Sequence, residues 1–181
     1  LADDFSLDVN WVKHALKSIA AGGGAKYDCF SIVRPTNPFR TSETIRRAWA
    51  AFSAAGETID SLRAVELCRQ HPWKMWNIAE ERNKMWPLFS IRGANEECGH
   101  SRPYQSLPLV YSQNASLEIA WTKVIERGTI AGERVMPFFT HGREGYDINT
   151  PDDLDYARYL VEKGAILPTI NRESIDAIRT A

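Results

Sequence analysis

A chain of 181 residues with 44% hydrophobic composition carries enough apolar material for one core and is too short for two large domains. Its 22 Lys and Arg against 23 Asp and Glu leave a net charge of -1 with no long run of either sign, which excludes electrostatic steering towards nucleic acid or anionic lipid. Cys29, Cys68 and Cys98 are odd in number and widely spaced, a pattern of free thiols in a reducing compartment and not of a disulfide scaffold or a zinc site.

No apolar run is long enough to span a bilayer and the start is not a basic-then-apolar leader, so a cytoplasmic location without membrane contact is expected. The chain opens on Leu1 and moves straight into a helical pattern, as expected of a piece of something longer. Over residues 9–19, Val12, Ala15, Leu16 and Ile19 recur at helical spacing. The run "AAGGGAKYD" then stops the helix, because glycines lose too much backbone entropy to continue it.

Residues 29–33 form a short apolar run before Pro35 and predict a central parallel strand. Thr41 is the expected N-cap of the next helix, with Glu43 in its first turn and Ile45, Ala48, Trp49 and Phe52 as its buried face. Residues 61–66 predict a second strand, so strand, loop, helix and strand together point to a layered α/β domain with a mainly parallel sheet.

Residues 71–89 break the pattern. Trp73, Trp76 and Trp86 with Met75 and Met85 follow neither the helical nor the strand period. Such a stretch suits an arm, spanning 71–104, laid on a second copy; covering a sheet edge of the same chain is the alternative. Residues 116–124 read as a strand or short helix and residues 135–139 as a strand. In "DINTPDDLDYARYLVEKG", Thr150 caps a helix, Pro151 takes its first position, Asp153 completes a capping box, and Leu154, Ala157, Leu160 and Val161 form its apolar face.

Ligands of open α/β sheets lie beyond the carboxyl ends of strands, where residues 34–40 fall. Pro35 and Pro38 stiffen that loop, so Thr36, Asn37 and Arg40 can be presented to a base, a ribose or a carboxylate at low entropic cost; a rigid turn with Arg40 on a structural carboxylate is the other reading. Asp147 and Asn149 stand one residue apart on extended backbone, and a tight turn can direct both at one Mg2+ if substrate phosphates complete its shell. Lys74 and Arg102 are candidate anchors for a substrate carboxylate. No Ser, Cys or Asp stands in a nucleophile context, so covalent catalysis is not expected.

At these residues the chain resembles the acylneuraminate cytidylyltransferases, which make CMP-activated sialic and related nonulosonic acids. "RPTNPFRTSETI" is similar to the family's Pro-Thr-Ser-Pro-Leu-Arg segment and "QHPWKMW" to its His-Pro segment. "RPYQSLPLVYSQNASLEI" is similar to its Tyr-Gln-x-Leu-Pro stretch, and "DINTPDDL" to its late Asp-x-Asp-Thr-x-x-Asp. The resemblance implies a Rossmann-like, three-layer nucleotidyltransferase domain over residues 1–181 with a projecting dimerisation arm, and hence a homodimer.

It further implies transfer of CMP from CTP to a sugar acid by in-line attack of the anomeric hydroxyl on the α-phosphorus, with pyrophosphate released. Asp147 would be catalytic and hold Mg2+ with Asn149 as a weaker companion, Arg40 would assist at the reacting centre, and Lys74, Arg102, Tyr104 and Gln105 would bind and orient the sugar acid. The family's Gly-rich phosphate loop has no counterpart here, so the resemblance implies an N-terminally truncated domain, inactive alone. A noncatalytic dimer-forming remnant, or a transferase for another sugar acid given Asn114, Ala115 and Ser116 where the family has Asn-Gly-Ala, are the rival expectations.

Overall fold

The computed structural model describes residues 6–89 and 99–168. Its contacts divide the chain into two compact units, one of Leu1–Val65 with Gln113–Ala181 and one of Glu66–Ser112. The fold is mixed α/β, with several helices and an open mixed sheet.

Helix α1 (Asp8–Ala21) ends where the glycine run begins, the Gly22 amide closing back on the Ser18 carbonyl at 3.0 Å. Strand β1 (Cys29–Ile32) leads through the double-proline loop to helix α2 (Ser42–Ala55). Thr41 caps α2 as expected, but its reciprocal partner is Thr44, which the strand-side packing buries completely. Strand β2 (Ser61–Leu67) follows, and strand β5 (Tyr111–Trp121) brings the chain back, running into the single turn of α3 (Lys123–Glu126). Strand β6 (Val135–Phe139) and helix α4 (Pro151–Glu162) complete this unit, and Thr150 and Asp153 form the expected capping box with Pro151 in the first turn.

The strand order is β1-β5-β2-β6. Strands β2 and β6 are parallel, whereas β1 pairs antiparallel with β5, Cys29 facing Trp121 and Ile32 facing Glu118. The expectation of a central parallel strand at residues 29–33 and a mainly parallel sheet is therefore corrected: β1 stands at one end of the described sheet and its neighbour runs the other way. An apolar four-residue run reads alike in either direction, and only the returning β5 sets the polarity.

Alternation along β1 distributes its side chains to opposite faces. Cys29 packs on a core of Phe52, Leu62, Leu117, Ile119 and Phe138 beneath α2, while Phe30 and Ile32 pack with Val12 of α1 and Ile125 of α3. Helices thus cover both faces. On α2 the buried stripe is Thr44, Ala48 and Phe52, and Ile45 and Trp49 are exposed, one step round the helix from the expected face. On α1 only Val12 is fully buried, and Ala15 and Ile19 face solvent.

In the second unit, β3 (Trp76–Ile78) and β4 (Met85–Pro87) form an antiparallel hairpin, with Trp76 opposite Pro87 and Ile78 opposite Met85. Among the other described residues of this unit are three 3-10 turns, Pro72–Lys74, Gly99–Ser101 and Tyr104–Ser106. His71, 3% exposed, anchors them: its Nδ1 accepts from the Trp73 amide at 3.1 Å and its Nε2 donates to the Pro108 carbonyl at 3.0 Å. Cys29 and Cys68 are free thiols, and Cys98 lies outside the described residues. Among the described residues no helix is long and apolar enough to cross a membrane.

At the end of the sheet where β2 starts, Asp60 is 1% exposed and receives the Glu133 and Arg134 amides at 3.0 and 3.1 Å and the Arg134 guanidinium at 3.0 Å. Gly132 lies against it with φ of 71°, and a Cβ there would stand 2.4 Å from the Asp60 Cβ. Gly132→Ala is expected to destabilise the fold by roughly 1–3 kcal/mol, because both the left-handed backbone and the contact oppose a side chain. A thermal melt several degrees below wild type would show it, and an unchanged melting temperature would refute it.

Candidate functional site

The loop at residues 34–40 is built from the inside. Asn37 is 6% exposed; its Nδ2 donates to the Glu144 carbonyl at 2.7 Å and its Oδ1 accepts the Arg40 amide at 2.9 Å. Phe39, 4% exposed, packs under α4 against Ala157 and Leu160, with the Tyr146 ring edge-on at 5.7 Å. The Thr36 carbonyl accepts the Ile148 amide at 3.0 Å. Pro35 and Thr36 remain exposed at the tip of a loop whose Asn37 and Phe39 side chains are buried.

Because β5 is antiparallel to β1, its early residues lie beside the end of β1. Arg40 reaches across to donate to the Ser116 carbonyl at 2.5 Å and to the Arg34 carbonyl at 3.1 Å. Burial pulls the Arg40 guanidinium below its usual range. Asn114 donates to the Thr140 hydroxyl at 2.9 Å, and the Thr140 amide closes on the Val65 carbonyl at 3.0 Å. The ends of β1, β2 and β6 and the start of β5 therefore gather at one edge of the sheet.

Two carboxylates organise the charge there. Glu118, 5% exposed, is held by Arg63 and lies 3.6 Å from Arg34, which also pairs with Asp8. The hydrogen bond from Arg34 to Asp8 raises the guanidinium further. Glu144 accepts Arg47 on both oxygens at 2.6 Å, Thr44 Oγ1 at 2.6 Å and the His141 amide at 2.8 Å. Burial alone would raise its pKa, but Arg47 and these donors outweigh it and hold the carboxyl below the usual range. Nothing in "THGREGY" marks Glu144 as the hub of this edge, since its partners lie about a hundred residues away in sequence. Glu118 betrayed itself only as a carboxylate inside an apolar run.

Asp147 and Asn149 follow Glu144. The Asn149 amide nitrogen donates to Asp147 Oδ2 at 2.9 Å, and Asp147 Oδ1 is closed to solvent with no hydrogen-bond partner among the described residues. The Mg2+ expected at this pair is overturned. Among the described residues no group of three or more His, Cys, Asp or Glu side chains can hold a metal ion. Locally, Asn149 turns an N–H rather than an oxygen to Asp147, and Asp153 is already engaged by the Asn149 and Thr150 amides and the Thr150 hydroxyl. Octahedral Mg2+ needs oxygen ligands that this turn has spent on capping its helix.

The remaining expected binding residues belong to the second unit. Lys74 Nζ donates to the His100 and Arg102 carbonyls at 3.0 and 2.7 Å. Tyr104 donates its hydroxyl to the Cys68 carbonyl at 2.9 Å and presents its ring edge-on to His71. Tyr104 and Gln105 line, with Cys68 and His71, a cavity of about 140 Å³. Within this unit the segments "QHPWKMW" and "RPYQSLP" are thus packed on each other.

No protein-family model matches the chain, and no curated protein matches it.

Stability should report the Glu144 hub. A carboxyl whose folded pKa lies below its ordinary value of 4.5 contributes stability that is complete above that value and is lost as pH falls through the folded pKa. Glu144→Gln is therefore expected to cost about 1.5–3 kcal/mol at pH 7, the scale of hydrogen bonds to a charged group, and the deficit should close in denaturant melts towards pH 3. A deficit that is independent of pH would overturn this account.

Proposed function

We propose that this chain serves the transfer of CMP from CTP to an acidic nonulosonic sugar, within a Rossmann-like cytidylyltransferase domain that works as a homodimer. The observation that carries the reading is convergence within each unit: segments resembling that family lie far apart in sequence, yet those of one unit pack together. Residues 34–40, 114–118 and 144–149 interlock through Asn37, Arg40 and the Ile148 amide. In the second unit His71 and Lys74 hold the backbone of residues 100–108.

In this reading the anomeric hydroxyl of the sugar acid forms a bond to the α-phosphorus, the bond to the β-phosphate oxygen breaks, and pyrophosphate leaves. Asp147, with Oδ1 closed to solvent, acts through its neighbour: its Oδ2 fixes the exposed Asn149 side chain, which orients the attacking hydroxyl while the proton passes to water. Arg40 offsets phosphoryl charge near the reacting centre, the part of its fork not turned to the Ser116 and Arg34 carbonyls facing the ligand.

The dimer part of the reading rests on the hairpin. Ile78, Met85, Trp86, Leu88 and Phe89 are 43–65% exposed in one short stretch, more apolar surface than isolated side chains present by chance. A second copy of the same hairpin is the occupant that offers these side chains an equally apolar partner surface.

Saturation-transfer NMR with N-acetylneuraminic acid and its CMP ester should detect binding of both, with no transfer to a neutral amino sugar. Asp147→Asn should weaken binding about tenfold, or ~1.4 kcal/mol. Failure of the sugar acid and of its CMP ester to bind would end the reading. For assembly, light scattering across a dilution series should give a dimer that Trp86→Glu converts to monomer, and a wild-type monomer throughout would refute that part alone.

A further inference from the structure

A second concavity lies at the opposite end of the same sheet. It is walled by α1, by residues 25–28 leading into β1, and by the end of β5 with α3, all within the first unit. Since β1 runs from Asp28 towards residues 34–40, this end is where β1 starts and the loop at 34–40 is where it leads. The proposed transfer uses none of its residues.

Its volume is about 670 Å³, inside the range of roughly 300–1,000 Å³ usual for small-molecule sites. The floor is apolar and rigid. Leu16 is half-buried, and the Trp121 indole is fixed by its Nε1 bond to the Gly56 carbonyl at 3.1 Å and by packing on the Phe52 ring at 4.6 Å. The Tyr27 ring, 53% exposed, stands at the mouth.

The rim carries Lys13, Lys17, Lys26 and Lys123. Lys123 is neutralised by Glu57 at 3.1 Å. The other three make no ion pair with any described residue, although Asp28 and Glu126 also line the mouth. Lys13 and Lys17 are one helical turn apart on α1, so their ammonium groups project side by side with Leu16 next to them. Two like charges so placed repel each other, and an anion between them relieves the repulsion.

We propose that this cavity is a binding site for a small organic anion with a planar apolar body, of the aryl phosphate kind. The ring lies on Leu16 and Trp121 beneath Tyr27, and the phosphate sits between Lys13 and Lys17 with Lys26 on its far side. Both features are required: the lysines alone would hold any phosphate, and the apolar floor alone would hold any aromatic.

The test is calorimetric titration of the full chain with 2-naphthyl phosphate and, in parallel, with inorganic phosphate. One equivalent of 2-naphthyl phosphate should bind at least tenfold more tightly than inorganic phosphate, and rising salt should weaken it. The doubly substituted Lys13→Ala, Lys17→Ala chain, with both positions exposed on α1 and wild-type circular dichroism expected, should lose about tenfold or more. Tyr27→Ala should reduce the affinity for 2-naphthyl phosphate and leave inorganic phosphate unchanged, whereas Lys84→Ala in the second unit should alter neither. Absence of binding, equal affinity for the two phosphates, or affinity that survives loss of Lys13 and Lys17 would each overturn the proposal.

Discussion

The first unit turns on the burial of Asn37. A loop between strand and helix that enters the interior must satisfy its polar groups there, and an amide 6% exposed with both ends bonded does so in one side chain. One end closes the loop on the Arg40 amide and the other reaches the Glu144 carbonyl, tying the exit of β1 to the segment after β6. Phe39 is then driven under α4, and Arg40 is aimed at the start of β5. The two prolines explain why the loop is stiff; Asn37 and Phe39 explain where it points.

Charge at this edge is balanced locally and mostly out of water. Removing ions from solvent is costly, and pairs such as Arg63 with Glu118 persist only where each partner is matched. Arg34 extends that pair to Asp8 on α1, and Arg47 matches Glu144 while its guanidinium also lies 5.1 Å above the Phe138 ring. Near neutrality of the whole chain is therefore no sign of a weak electrostatic structure. At this edge opposed charges are placed next to each other.

The second unit is organised differently. Among its described residues little apolar material is buried, and the buried His71 imidazole, bonded at both nitrogens, fixes the turns on either side of it. Its hairpin accordingly leaves large apolar side chains in solvent. Those in the first unit, such as Trp49 and Tyr156, are instead scattered over helices whose opposite faces are well buried.

What the amino-acid sequence determined by itself is the set of features with local causes. The capping box of Thr150 and Asp153, the Thr41 cap, the glycine stop after α1 and the span of β6 all depend on residues within a few positions of one another. Tertiary structure decided whatever depends on a distant partner. The direction of β1 awaited β5; the buried face of α2 shifted to Thr44 because Glu144, a hundred residues later, supplies its hydroxyl with an acceptor. Asp147 and Asn149 have the composition of a cation site, but composition does not orient an amide, and the fold turned its nitrogen to the carboxylate and spent Asp153 on the helix cap. Backbone preferences act over one turn of chain, whereas the satisfaction of buried polar groups is settled across the whole core, which no short stretch of sequence can specify.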